Sequence, residues 1–176
     1  MVSTHDPNVL PADLPVPEDD GAARHLTGMR LPSLPLAATD GAQVDLGKLA
    51  GRTVVYIYPR TGRPGVAIPE GWDAIPGARG CTPQSCSFRD HFAELKALGV
   101  AHLFGLSTQD TDYQREAVDR LHLPFAILSD AELELVGSRA QPADIRGRRR
   151  DAAQAHGADH RRRRDRKSLL SRLPAR

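Results

Sequence analysis

The hydrophobic pattern changes period several times along the chain. Apolar content rises from residue 31, Thr39, Asp40 and Gly41 form a turn signal, and residues 44–49 lead to Gly51 and the run Thr53, Val54, Val55, Tyr56, Ile57, Tyr58. That run is β-branched and aromatic throughout and predicts a strand covered on both faces, ended by Pro59. Residues 60–80 are rich in Gly and Pro and hold the single tryptophan, Trp72. They predict a loop, long for a connection and therefore functional or mobile. Thr82 and Pro83 open a helix, because proline suits the first helical position, where its missing N–H costs nothing. Phe88, Phe92, Leu95 and Leu98 follow on one apolar stripe, with Gly99 placed to cap the C-terminus. A strand over 102–107, a helix from about Asp112 with Tyr113, Ala117, Val118 and Leu121 on one face, a strand over 125–128 and a short helix over 131–136 complete the pattern. Strands and helices alternating at this spacing predict an α/β layer fold with a largely parallel sheet.

The two ends differ from this body. Residues 1–27 hold Pro7, Pro11, Pro15 and Pro17, an acidic cluster at Glu18, Asp19 and Asp20, and few large apolar side chains, so a disordered arm is expected. Residues 28–138 form the expected domain. From Arg139 onward the pattern stops, with Ile145 the only large aliphatic residue between 139 and 168, and a disordered tail is expected. The net charge of +2 over 176 residues hides this division, since residues 139–176 carry twelve Arg, one Lys and four Asp, net +9, and the preceding part is net −7.

Other classes are narrowed by what the chain lacks. No run approaches the ~18 apolar residues of a membrane span, and the N-terminus has neither a basic start nor a hydrophobic run, so no membrane partner and a cytoplasmic protein are expected. Two cysteines, Cys81 and Cys86, are too few for a disulfide scaffold, and their spacing fits no usual zinc pattern, so no metal is expected.

Cys81 directly follows a glycine-rich loop and directly precedes the predicted helix. Unpaired N–H groups and the positive end of the helix dipole favour an anion there, which predicts a thiol pKa below the free value of about 8.5. Cys86 lies five residues on. In a helix that separation advances roughly 7.5 Å and turns about 140° past a full turn, so the two sulfurs point apart. A disulfide needs Cα atoms within roughly 7 Å, so joining them requires the first helical turn to unwind. A plain structural role, with Cys86 a small buried hydrophobe and Cys81 an incidental loop residue, accounts for the same residues equally well.

The segment Gly80, Cys81, Thr82, Pro83, Gln84, Ser85, Cys86, Ser87, Phe88, Arg89, Asp90 resembles the active-site helix of the peroxiredoxins, specifically the bacterioferritin comigratory protein (Q-type) group with its C-x4-C arrangement. The resemblance extends to Tyr58 and Pro59, to Gly105, Leu106, Ser107 and Thr108, and to Leu123, Pro124, Phe125, Ala126, Ile127, Leu128, Ser129 and Asp130, covering residues 29 to about 137. It implies a thioredoxin-like sheet with flanking helices, Cys81 as peroxidatic cysteine and Cys86 as resolving cysteine. The implied reaction is attack of the Cys81 thiolate on a hydroperoxide, capture of the sulfenic acid by Cys86 as a disulfide, and reduction by thioredoxin or a similar dithiol. It implies no metal and no organic cofactor. A thioredoxin-type oxidoreductase fits less well, because thioredoxins use C-x-x-C.

Two departures from the family accompany the resemblance. Where the family places a proline and a threonine ahead of the peroxidatic cysteine this chain has Ala74 and Ala78, which leaves the hydroxyls of Thr61 and Thr82 as substitutes. The family's active-site arginine follows on a strand that residues 139–176 do not provide, so its C-terminal hairpin and terminal helix are expected to be missing. Trp72 is read as loop packing and His91 as a partly exposed helix residue.

Three readings compete for the tail: a basic arm binding nucleic acid through phosphate contacts, a solvated charge run, and the family's own ending in a shifted reading frame. The third is preferred. Codons for residues 140–147, read one nucleotide later, permit Leu-Asn-Leu-Pro-Thr-Phe-Glu-Val, and shifted CGN arginine codons become codons for Val, Asp, Ala or Gly. A nucleic-acid partner is therefore not expected, and reduced peroxidase turnover is. The alternatives are a catalytically inactive remnant and a basic-tailed nucleic-acid-binding protein.

Overall fold

The structure, a computed structural model, describes residues 10–137, apart from the side chain of Val136. The first nine residues and the tail, with every reading attached to residues 139–176, lie outside the described residues. Among the described residues five strands form one mixed sheet: β1 (Pro35–Ala38), β2 (Gln43–Asp45), β3 (Arg52–Ile57), β4 (Val100–Ser107) and β5 (Ile127–Ser129), in the order β2-β1-β5-β4-β3. The three central and cysteine-side strands are parallel, with Tyr56 opposite Gly105 and Gly105 opposite Ile127. β1 runs antiparallel to β5 and to β2, so the largely parallel sheet is completed by one hairpin. That hairpin turns at the expected Thr39, Asp40 and Gly41, where Gly41 has φ +89° and the Asp40 carboxylate accepts the Ala42 N–H at 3.0 Å.

The expectation of a strand covered on both faces holds in the middle of β3, where Val54 and Val55 pack against opposite core layers, and fails at its end. β3 lies at the sheet edge, and the pleat sends Tyr56 into the core while Ile57, pointing the other way, is 68% exposed. Tyr58 continues the inward alternation just past the strand. One core layer gathers Tyr56, Tyr58, Cys81, Leu103, Leu121, Phe125 and Ile127. The opposite face packs Leu36, Ala38, Leu106 and Leu128.

The predicted single helix after the loop is two pieces, α1 (Cys81–Asp90) and α2 (Phe92–Ala97), divided at His91 (φ −98°, ψ 12°). The His91 N–H and its ring Nδ1 both meet the Ser87 carbonyl oxygen, at 3.1 and 2.9 Å. The turn at His91 swings Leu98 off the stripe, leaving it 69% exposed, while Phe88, Phe92 and Leu95 stay against the core. Gly99 caps as expected, with φ +82° and its N–H on the Lys96 carbonyl. α3 (Thr111–Leu121) starts at an Asp110 cap whose carboxylate accepts the Tyr113 N–H at 2.7 Å, and buries Gln114, Ala117 and Leu121. α4 (Glu134–Gly137) closes the described part.

Of the proline-rich arm, residues 10–27 are largely exposed, carry one 3₁₀ turn at Arg24–Leu26, and pass beside the long loop where Pro17 lies against Gly77. Among the described residues no helix is long and apolar enough to cross a membrane.

Candidate active site

Gly80 takes a left-handed conformation (φ +100°) that no ordinary side chain favours, and this turns the loop directly into α1. Cys81 is therefore itself the first residue of the helix, rather than the residue before it. Pro83 sits two positions further in, still within the first turn, whose N–H groups have no intrahelical acceptor. Gln84 N–H closes that turn on the Gly80 carbonyl at 2.8 Å.

The Cys81 side chain is buried, with Sγ 3.7 Å from the Ala78 carbonyl oxygen, to which the thiol donates. The Trp72 indole N–H donates to the same oxygen at 3.1 Å. Burial pushes the thiol pKa up, against the opposing pull of the backbone N–H groups of Arg60 and of Cys81 itself, which favour the anion. This corrects the expected depression. The helix N-terminus does face the sulfur, but the apolar packing of Tyr56, Tyr58 and Phe125 in the same core layer removes the water that would solvate a thiolate.

The Arg60 N–H reaches the sulfur because the chain leaving β3 is held from several sides. Tyr58 N–H continues the ladder to the Leu106 carbonyl at 3.1 Å. Thr61, fully buried, gives both its N–H (2.9 Å) and its hydroxyl (3.2 Å) to Gln109 Oε1 and accepts from Gln109 Nε2 at 3.3 Å. The Tyr113 hydroxyl also donates to the Thr61 carbonyl at 3.1 Å, and Arg120 Nη2 donates to the Gly62 carbonyl at 2.9 Å. The Thr61 hydroxyl, one of the two expected substitutes beside the sulfur, is thus directed to Gln109. Arg60, Ile68, Trp72 and Arg79 line a small cleft over Cys81 and Thr82, with a volume of about 20 Å³. Arg79 is paired there with Asp73 at 2.7 Å.

Cys86 is half-buried on α1 and packs against the same core layer, and both cysteines are free thiols. Regular helix geometry holds residues five apart at a Cα separation of about 8.6 Å, beyond the roughly 7 Å a disulfide tolerates. The stretch from Cys81 to Cys86 is pinned by Ser85, which donates to the Cys81 carbonyl at 2.9 Å and accepts from the Tyr56 hydroxyl at 3.1 Å. Beyond Cys86 the helix is docked more firmly: Phe88 stacks on Tyr56 with centroids 4.4 Å apart, and Arg89 Nη1 donates to the Leu121 carbonyl at 2.8 Å. Trp72 does pack in the loop, through a specific hydrogen bond, and His91 is exposed at the helix break.

Gln109 and the Arg60 N–H did not emerge from the sequence pattern, and Tyr113 emerged only as part of a helix face. The signal available was topological, since parallel β3 and β4 end side by side and bring residues 61 and 109 together at the carboxyl ends of the strands. Among the described residues no group of three or more His, Cys, Asp or Glu is placed to hold a metal ion.

The redoxin family profile matches residues 26–141. The chain belongs to the redoxin family. Its mixed sheet with flanking helices is the thioredoxin-like fold of that family. It is 35% identical over 121 residues to the chloroplastic peroxiredoxin Q of Oryza sativa subsp. japonica, covering 68% of this chain and 48% of that protein. The chloroplastic peroxiredoxin Q of Populus jackii is 33% identical over 121 residues, covering 68% and 49%. This redoxin chain thus spans about half the length of the curated relatives it matches. Among solved structures it is similar to Xanthomonas campestris peroxiredoxin Q (24% identity, 62% of each chain, TM-score 0.49) and to the peroxidoxin BcpB of Mycobacterium tuberculosis (21% identity, 65% of this chain and 68% of that one, TM-score 0.48).

Proposed function

We propose that the protein is a thiol peroxidase in which Cys81 is the peroxidatic and Cys86 the resolving cysteine. The observation that carries this reading is the placement of Cys81 as first residue of α1, its sulfur facing the Arg60 and Cys81 N–H groups under a cleft lined by Arg60 and Trp72. A deprotonated Cys81 attacks the terminal oxygen of a hydroperoxide. The S–O bond forms as the O–O bond breaks, the leaving alkoxide or hydroxide takes a proton, and Cys81 becomes a sulfenic acid. The Cys86 thiol then attacks that sulfur, releasing water and leaving a Cys81–Cys86 disulfide, with two electrons passed from the pair to the peroxide. An external dithiol of the thioredoxin class returns both thiols by exchange.

The helix supports this sequence of steps by dividing into two parts. The first turn, held by the Ser85 hydrogen bonds, must unwind for the sulfurs to meet. Phe88 and Arg89, past Cys86, keep the remainder of α1 on the sheet while it does so. Hydrogen peroxide and organic hydroperoxides are the proposed substrates.

The test is mass spectrometry of the intact protein after one equivalent of peroxide. A loss of two hydrogens with a peptide linking Cys81 and Cys86 is expected, and Cys86→Ser should stop at a dimedone-reactive sulfenic acid on Cys81. Unmodified Cys81 under these conditions would overturn the proposal.

A further inference from the structure

We infer that Gln109 is a positioning residue for the reaction at Cys81, its side-chain amide gripping Thr61 so that the preceding Arg60 N–H stays aimed at the sulfur. The inference rests on the peroxidase reading and assigns a role to a residue that touches neither cysteine.

Gln109 is 1% exposed. A buried amide left without partners costs roughly 1–3 kcal/mol, so where its hydrogen bonds go shows what it holds in place. All its side-chain bonds go to one residue: Oε1 accepts the Thr61 N–H and the Thr61 hydroxyl, and Nε2 donates to the Thr61 carbonyl. Thr61 is thereby fixed at both of its backbone polar groups. On the other side of Arg60, the Pro59 ring restricts rotation and Tyr58 is tied to β4 through the Leu106 carbonyl. Arg60 lies between these two fixed points and lines the cleft over Cys81, and its N–H is one of two backbone donors that favour the thiolate. Gln109 is itself anchored, its carbonyl accepting from Ser129 Oγ at 2.7 Å and its N–H donating to Ser107 Oγ at 3.3 Å. The grip therefore transmits the rigidity of β4 and β5 to the loop.

A second buried glutamine provides the contrast. Gln114 is 0% exposed and shares Ser107 as a neighbour, but its Nε2 donates to Ser107 Oγ and to the Leu128 carbonyl, away from the 59–62 turn. A residue that merely fills and stabilises this region behaves like Gln114. One that positions the donor has an additional effect on the sulfur.

The experiment measures the pH dependence of Cys81 alkylation by iodoacetamide in a Cys86→Ser background, which needs no peroxide, beside stopped-flow reaction with hydrogen peroxide. Gln109→Met, close in shape and without the amide, is expected to move the alkylation midpoint up by about one pH unit and to slow the reaction at neutral pH about tenfold. Gln114→Met is expected to lower thermal stability while leaving the midpoint in place. An unmoved midpoint in Gln109→Met, or equal shifts in both variants, would overturn the inference. Should Gln109→Met not fold, Thr61→Val removes one of the three bonds, and the same upward shift, smaller in size, is required of it. A shifted midpoint in a protein that never reacts with peroxide would uphold the positioning role and defeat the peroxidase reading.

Discussion

Trp72 and Cys81 share one acceptor: the indole N–H and the thiol both point at the Ala78 carbonyl oxygen, at 3.1 and 3.7 Å. The tryptophan is the only one in the chain, so its emission reports on the environment of that carbonyl. In the proposed reaction, oxidation to a disulfide removes the thiol donor and, by unwinding the first turn of α1, moves the backbone beside it. Intrinsic fluorescence is therefore expected to change with peroxide in the wild-type protein and to stay constant in Cys81→Ser. Trp72→Phe, which deletes one hydrogen bond to a backbone carbonyl, is expected to cost about 1 kcal/mol in denaturant unfolding. Identical emission from reduced and disulfide forms would remove the carbonyl from the account.

The sulfur's titration has a defined sign. Burial raises the Cys81 pKa more than the two N–H groups lower it, and the thiolate is the reacting species in the proposed reaction. The rate with hydrogen peroxide is therefore expected to climb through neutral pH and to keep climbing past the free-thiol value of about 8.5 before it levels. Stopped-flow measurements at a series of pH values give this curve directly. A rate that is level across neutral pH would show that the N–H groups outweigh burial.

The same residue shows what a sequence can and cannot display. The position of Cys81 at a helix start follows from local chemistry, a glycine-rich approach and a proline in the first turn, and both are present in the order of residues. The alternation of strands and helices from Val54 to Leu128 is similarly local. The sign of the pKa shift depended instead on Tyr56, Tyr58 and Phe125, which meet Cys81 only after β3, α1 and the segment before β5 have packed. Ile57 illustrates the same limit from the other side, since its β-branched neighbours suggested burial, yet Val55 on the same face is packed and Ile57 is 68% exposed. The break at His91 arises where a side chain and a backbone N–H converge on one carbonyl, a competition that the Phe88, Phe92, Leu95 periodicity does not encode.

Tyr56 joins the sheet to the cysteine helix, and Gly105 makes room for it. A Cβ at Gly105 would stand 2.8 Å from the Tyr56 hydroxyl oxygen, 2.9 Å from Cζ and 3.2 Å from Ile127 Cγ1. Gly105→Ala is accordingly expected to destabilise by about 1–3 kcal/mol, the usual range for overpacking, as measured by urea unfolding. A urea midpoint unchanged from wild type would mean that the ring moves freely, contrary to its stack on Phe88.

Tyr56 also predicts an alkaline limit. Burial pushes its phenol from the ordinary value near 10 up to about 12, with the Ser85 hydrogen bond opposing. Because the folded state holds the proton more tightly than the unfolded chain, the associated stability is complete below about pH 10 and is lost as pH rises toward 12. Tyr56→Phe, lacking the proton, is expected to start less stable at neutral pH by about 1 kcal/mol, from the lost hydrogen bond, and to decline less steeply above pH 10. Parallel alkaline decline in both proteins would assign the loss to other groups.

Phe88 and Arg89 supply the final prediction, which separates the two halves of α1. If the first turn unwinds while the rest stays docked, weakening the dock should affect disulfide formation differently from weakening the first turn. Ser85→Ala removes the bond to the Tyr56 hydroxyl and the one to the Cys81 carbonyl, both within the part that opens. It is expected to speed conversion of sulfenic acid to disulfide, because the folded turn is the state that holds the sulfurs apart. Phe88→Ala removes a ring stacked at 4.4 Å on Tyr56 and, because Phe88 is only partly buried, should cost less than the roughly 3–5 kcal/mol of a fully buried aromatic truncation. It acts on the segment that carries Cys86, so it lowers stability without the selective gain in resolution rate. Following dimedone-trappable sulfenic acid against time in the two variants distinguishes them, and equal acceleration in both would mean that α1 comes off the sheet as one piece.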